Sequence, residues 1–412
     1  MKLTREEQEI LDGKKNDTAQ KAMELLVAVG ECYLAERMVP VTSVHMSSVN
    51  PVTAGKGGTK FIKDLAERGG KFVIPATTNV ASIDPWAWQE MGFSEEIHRE
   101  HEGLSGAIEK MGGLLCNTCI PYLIGHAPRM GQHVAWCESS AVVYANAVLG
   151  SRTNREGGPT ALAAALVGKI PAYGYHLDEN RYARLKIIVN TELKGDTDYA
   201  TLGYFAGRIA QDRVPIFSGL PPTVSQDELK YMSGAIACAG SVSHYHIVGV
   251  TPEAPTEAAA CGPMRISSSD TFVFGPKELK ETEESISKIG PGEADLVVLG
   301  CPHASIHQIK RYAESFSGRK VKRGVEAWIL TSSLIKKYAE EIGYAKGIES
   351  AGVRLVSNTC PSPMPLEFFV KRGYRGAATD SPKMVYYIST TKGVPCYYGS
   401  LDKFIDVITS KK

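Results

Sequence analysis

DLVVLGCPHAS (residues 295–305) runs apolar from Leu296 to Leu299, stops at Gly300, and then presents Cys301, Pro302 and His303. A short continuous apolar run closed by glycine reads as a strand buried on both faces, the mark of a parallel sheet. A regular alternation surrounds it: strand 295–299, helix 304–316, strand 327–331, helix 332–343, strand 353–356. Strand and helix in turn predict an α/β unit, a parallel sheet with helices on both faces. The loops after such strands converge at the carboxyl edge of the sheet, where ligands bind.

Two further segments put a cysteine where an apolar run stops. VRLVSNTCPSP (residues 353–363) ends at Cys360, and GGLLCNTCIPY (residues 112–122) holds Cys116 and Cys119. Thiolates gathered from separate strand ends can hold an iron centre, and a trio leaves one iron open to substrate, as a Lewis-acid catalyst requires. On the plainer reading the three are small buried residues near turns, and zinc is the next metal. Cys119 is preferred to Cys116 because Pro121 and Tyr122 follow it, as a proline follows the other two. A redox role for the Cys116-x-x-Cys119 pair lacks thioredoxin-like surroundings. The other five of the nine cysteines, Cys32, Cys137, Cys238, Cys261 and Cys396, read as packing residues, and the scatter does not form a disulfide framework.

The 412 residues are 43% hydrophobic and 22% charged, with a formal net charge of +1. That balance leaves no footprint for nucleic acid or a membrane surface. The first residues, MKLTREEQEILDGK, are polar and helix-like, and no stretch reaches membrane-spanning length, so a cytoplasmic chain is expected. Periodicity predicts helices at 4–12, 18–37, 61–68, 103–111, 140–148, 160–167, 227–240 and 278–289. Strands are expected at 39–44, 71–74, 186–190, 245–250 and 271–274, with a polar loop at 45–58 and a loose connector at 253–270. No internal repeat is evident. The Gly-Pro-Gly at 290–292 divides an N-terminal region, 1–290, from a C-terminal α/β domain, 291–412.

Other constellations bear on binding. Glu138-Ser139-Ser140, followed by RTNREGGP (residues 152–159), gathers Arg152, Arg155 and glycines ahead of a helix, a pattern suited to a carboxylate or phosphate. A capped turn with solvated arginines is the alternative. HMSSVNP (residues 45–51) and GKGG (residues 55–58) do not match a Walker loop. Asn79 lies at a strand end. In TDSPK (residues 379–383), Lys383 could face an acidic substrate, or Ser381 could simply cap a helix that Pro382 begins. His303 reads as a donor behind Cys301 or as a helix-start residue. His244 and His246 alternate along a strand and read as a satisfied surface pair rather than metal ligands.

The segments ESSAVVYANAVLGSRTNREGGPTALAAALVGK (138–169), YGYHLDENR (173–181), GCPHAS (300–305), TCIPY (118–122) and TDSPK resemble, over nearly the whole chain, the catalytic large subunit of the aconitase X family. The Arg155–Pro159 stretch is more similar to the phosphomevalonate-dehydrating branch than to the hydroxyproline-dehydrating one. The resemblance implies an aconitase-like fold, with several α/β units around a cluster cleft. It implies an iron-sulfur cluster, most simply 4Fe-4S, on Cys119, Cys301 and Cys360. It implies dehydration of (R)-5-phosphomevalonate to trans-anhydromevalonate 5-phosphate, in a modified mevalonate route, with substrate contacts at Ser48, Val49, Asn50, Asn79, Glu138, Ser139 and Lys383. Arg152, Arg155 and Lys383 would hold the carboxylate or phosphate, and His303 would assist the departing oxygen. A separate small swivelling subunit carrying a serine base is the expected partner, with neither nucleic acid nor a membrane involved. Ile120 stands where the family usually has threonine, and Pro361–Met364 where valines are usual. The competing readings are a cis-3-hydroxyproline dehydratase, a non-catalytic iron- or RNA-binding relative, and an enzyme using a single metal ion.

Overall fold

The structure, a computed structural model, describes residues 1–411. Its C-terminal sheet has five parallel strands in the spatial order Val353–Ser357, Glu326–Thr331, Leu296–Leu299, Ala377–Thr379, Cys396–Tyr398. The strand Leu296–Leu299 is buried on both faces as its composition requires. Leu296 and Val298 join one core with Trp328, and Val297 and Leu299 join another with Ile329. The chain order reverses between Leu296–Leu299 and Ala377–Thr379, which opens a crevice at their carboxyl ends. The Cys301 loop and the TDSPK loop leave from those two strands.

Before residue 290 there are two parallel sheets. The first runs Ala76–Thr78, Val44–Met46, Ala135–Trp136, and the second runs His246–Ile247, Pro215–Ser218, Leu185–Val189, Thr271–Phe274. The alanine-rich helix Gly158–Val167 packs into the first core beside the helix Asp17–Cys32. The helices Gly195–Ala210 and Gln226–Ala239 pack against each other beside the second sheet. The second of these also carries its far end to the crevice of the C-terminal sheet.

Three local expectations fail. Residues 71–74 are not a strand: the first sheet begins after Pro75, which has no N–H to donate and gives only its carbonyl, to Val44 N at 2.9 Å. Residues 45–58 are not a loop. Val44–Met46 is a central strand, and a helix, Pro51–Glu67, starts at once because Asn50 caps it, Pro51 sits in its first turn and its kink falls on Gly55. The 253–270 connector contains a short helix, Glu257–Cys261, capped by Thr256. Among the described residues no helix is long and apolar enough to cross a membrane.

Candidate functional site

The three sequence-predicted cysteines meet at the crevice, and small local devices bring each there. Asn117 and Asn358, at φ 43 and 66, turn the chain through the left-handed region just before Thr118-Cys119 and Thr359-Cys360. Asparagine tolerates that region better than most residues. The same Asn-Thr-Cys tripeptide therefore makes the same turn at both sites, a recurrence the sequence held in view. The Cys301 loop turns on Gly300, at φ 80, where an added Cβ would lie 2.5 Å from the carbonyl oxygen of Leu330. Only glycine fits there.

His303 joins all three loops. Its Nδ1 lies 2.9 Å from the hydroxyl of Thr118, its Nε2 lies 3.2 Å from the carbonyl of Thr359, and its backbone N–H donates to Cys119 Sγ at 3.3 Å. A carbonyl can only accept, so Nε2 carries the proton and Nδ1 accepts from Thr118. Burial lowers the ring to about 4 and keeps it neutral. Behind it the buried Lys230 donates to the His303 carbonyl at 2.9 Å and pairs with Asp227 at 3.1 Å. With both nitrogens engaged, His303 clamps the cysteine loops, and its ring proton is held by the Thr359 carbonyl.

Cys119 sits close enough to Cys301 and Cys360 for their charges to act on one another, whereas Cys116 turns aside to the carbonyl of Thr78. Burial is the leading cause that pushes Cys119, Cys301 and Cys360 each up to about 12, and Lys383 works against it in all three. A metal taken up here would therefore displace protons. Among the described residues, the one trio of His, Cys, Asp or Glu whose ligand atoms all lie within 4.8 Å is His244, His246 and Glu253, so the three sulfurs are spread more widely. Sulfurs around a single tetrahedral ion with bonds of about 2.3 Å stand roughly 3.8 Å apart. The wider spread suits a multi-atom centre better than one enclosed ion.

His244 and His246 are buried, not a surface pair. Arg181 closes on Glu253 from the other side with contacts of 2.8 to 3.0 Å, so the carboxylate is already neutralised.

Beside Glu138 lies a cavity of about 590 Å³ whose wall includes Ser47, Asn79, Ser139, Arg155, Cys238 and Tyr387. Glu138 caps the helix Ser139–Ala147, accepting from Ala141 N at 2.6 Å and from the Ser140 hydroxyl at 2.7 Å. Its other oxygen binds Lys383, which arrives on the helix Pro382–Lys392. Burial alone would raise Glu138, but the Lys383 ammonium and these donors hold it down at about 2. Burial also works against charge on Lys383, yet Glu138 keeps it above the ordinary lysine range. The pair is ionised throughout the physiological range.

The remaining predicted contacts divide. Asn79 lines the cavity, donating to the Ser47 hydroxyl at 3.1 Å and leaving its buried carbonyl oxygen unpartnered. Ser48 is exposed and strained at φ 59 beside that wall. Asn50 is a helix cap, bonded to Thr53 N at 3.1 Å and to the Val80 carbonyl at 3.2 Å, and the Val49 side chain belongs to the first core. Arg155 reaches the cavity, anchored by the carbonyls of Ala237 at 3.3 Å and Val242 at 3.1 Å, with no carboxylate partner among the described residues. Arg152 does not join it: Asp178 and the His176 carbonyl take its guanidinium, away from the cavity. Cys238, read as packing, lines the wall, as do Tyr386 and Tyr387. The sequence could have pointed to Tyr387, which stands four positions after Lys383 on one helix face.

Three family models match in succession: Aconitase X first domain at residues 1–179, second domain at 183–284, and third domain at 294–410. The chain is 43% identical over 402 residues to the phosphomevalonate dehydratase large subunit of Methanothermobacter thermautotrophicus, covering 96% of each protein. It is 32% identical over 388 residues to the cis-3-hydroxy-L-proline dehydratase of Pseudomonas aeruginosa, covering 92% of this chain and 65% of that one. The crystal structure of holo aconitase X from Thermococcus kodakaraensis superposes with a TM-score of 0.88 at 35% identity, covering 98% of this chain and 99% of that one.

Proposed function

Because this chain belongs to the aconitase X family, we propose that it is the large subunit of a phosphomevalonate dehydratase, a hydro-lyase converting (R)-5-phosphomevalonate into trans-anhydromevalonate 5-phosphate. The observation that carries the substrate choice is Arg155, a guanidinium open to the cavity without an acid of its own. A planar fork of that kind suits a phosphate, which hydroxyproline lacks. The greater identity to relatives named for phosphomevalonate supports the same choice.

An iron-sulfur cluster held by Cys119, Cys301 and Cys360 would supply a Lewis acid that polarises the substrate's hydroxyl and carboxylate. The chain's own residues do the rest. Lys383, kept charged by Glu138, faces the substrate carboxylate. Ser139 and Asn79 offer polar atoms along one wall, and Arg155 takes the phosphate at the other end. Glu138, ionised and fully bonded, holds Lys383 rather than serving as the base. The base comes from a small partner subunit, in keeping with the relatives' designation as large subunits.

The test is anaerobic co-expression with a small partner, iron and sulfide counting, and an assay for water loss. Dehydration of 5-phosphomevalonate but not cis-3-hydroxyproline, by the pair and not by the large chain alone, is the expected result. Turnover of hydroxyproline alone would reverse the substrate assignment, and full turnover without the partner would remove the need for one.

A further inference from the structure

Lys383 and Tyr387 stand one turn apart on the helix Pro382–Lys392 and share its face. Lys383 bonds Glu138, which lines the cavity, and that contact fixes the direction of the face. Tyr387 follows it in. Half-buried, it lines the wall with Ser139, Arg155 and Cys238, near enough to Lys383, Glu138, Cys360 and Cys301 for charges to be felt. Its ring rests edge-on against Tyr386, with centroids 5.5 Å apart at 72°, which holds the ring without using the oxygen. That hydroxyl has no hydrogen-bond partner among the described residues. Burial raises the phenol above the usual tyrosine value, so it keeps its proton and can donate. Of the groups beside the thiols, His303 is spent on Thr118 and Thr359, and Lys383, held by Glu138, is assigned to the substrate carboxylate. Tyr387 is the donor left over.

We propose that Tyr387 contacts substrate, its phenolic O–H donating a hydrogen bond to the hydroxyl that departs as water. The inference rests on the dehydratase reading above. When the C–O bond breaks, its electron pair goes to oxygen, while the pair of the neighbouring C–H bond forms the C=C bond and that proton goes to the partner's base. The proton and the departing hydroxide together make one water, so no outside reagent is needed. Tyr387 shares its proton with the oxygen while charge builds there, a bond stronger in the transition state than in the ground state.

Tyr387→Phe removes the oxygen and little else. In the cluster-loaded complex, kcat is expected to fall about 10²-fold with KM rising no more than about tenfold, while iron content and absorption spectrum stay as in the wild type. Calorimetric binding of 5-phosphomevalonate to the large chain, independent of turnover, is expected to weaken about three- to tenfold. Values of kcat and affinity both within twofold of wild type would overturn the proposal. So would loss of iron in the variant, which would make the tyrosine structural. Repeating both arms with cis-3-hydroxyproline separates the two layers. If only that ligand binds and turns over, and the variant impairs it, the substrate reading falls and Tyr387 stands. A wild-type chain binding neither ligand would sink both.

Discussion

At the scale of single residues, the site depends on charges that exist only because they are paired. Glu138 and Lys383 are both buried, and removing one partner strands the other, a loss of about 3–5 kcal/mol in comparable pairs. Glu138→Gln and Lys383→Met are each expected to lower the denaturation midpoint, and the double variant to lose less than the sum, which a double-mutant cycle measures. The pH dependence has a definite sign. Glu138 is depressed from 4.5 to about 2, so its stabilisation is fully present above 4.5 and is lost as pH falls towards 2. Acid titration followed by tryptophan fluorescence should show that loss for the wild type and a flatter profile for Glu138→Gln. The sequence named both residues, through the resemblance, but not their union. Nothing in the spacing of positions 138 and 383 encodes a distance. Likewise His303 was legible as a residue beside Cys301, but its two hydrogen bonds lie 185 and 56 positions away.

At the scale of elements, the strands Leu296–Leu299, Glu326–Thr331 and Val353–Ser357 and the helices between them were legible because parallel strands buried on both faces leave largely apolar runs, whereas the three-residue strands Ala377–Thr379 and Cys396–Tyr398 went unread. The first sheet was not, because its strands are two or three residues long and Pro75 shifts where pairing begins. Element packing also sets how near the helix Gln226–Ala239 comes to the Cys301 loop. At Gly234 an added Cβ would lie 3.0 Å from Pro302 Cδ and 3.1 Å from Cγ, against a ring that cannot swing away. Inside a helix, Gly→Ala ordinarily gains about 0.5–1 kcal/mol. Gly234→Ala is expected to do the reverse, lowering the thermal midpoint and the iron retained after reconstitution. Gly106→Ala, in the helix Glu95–Lys110, where nothing lies within 4 Å of the new methyl, should raise the midpoint and leave iron unchanged. Equal behaviour of the two would show that the close approach to Pro302 is unimportant.

At the scale of the whole molecule, the N-terminal and C-terminal portions are sewn together beside Cys360. Ala81 N donates to the Asn358 carbonyl at 2.8 Å, the Thr359 hydroxyl returns to the Ala81 carbonyl at 2.8 Å, and the buried Asp84 accepts from the Ser357 hydroxyl at 2.8 Å. Asp84→Ala would leave the Ser357 hydroxyl and backbone N–H unpaired at a cost of about 1–3 kcal/mol and slacken one of the three loops. Faster iron release to a chelator, at nearly unchanged circular dichroism, is the expected outcome, and wild-type release kinetics would argue against it. The loops bearing Thr118, His303 and Thr359 also leave the ribosome at widely separated moments. A metal carrier meeting the emerging polypeptide early would find a solitary thiol, and only the finished chain, docked upon itself, offers a complete receptacle. On the proposed assignment, maturation of the cofactor follows synthesis, and a product truncated ahead of Cys360 lacks one of the three residues that would hold it.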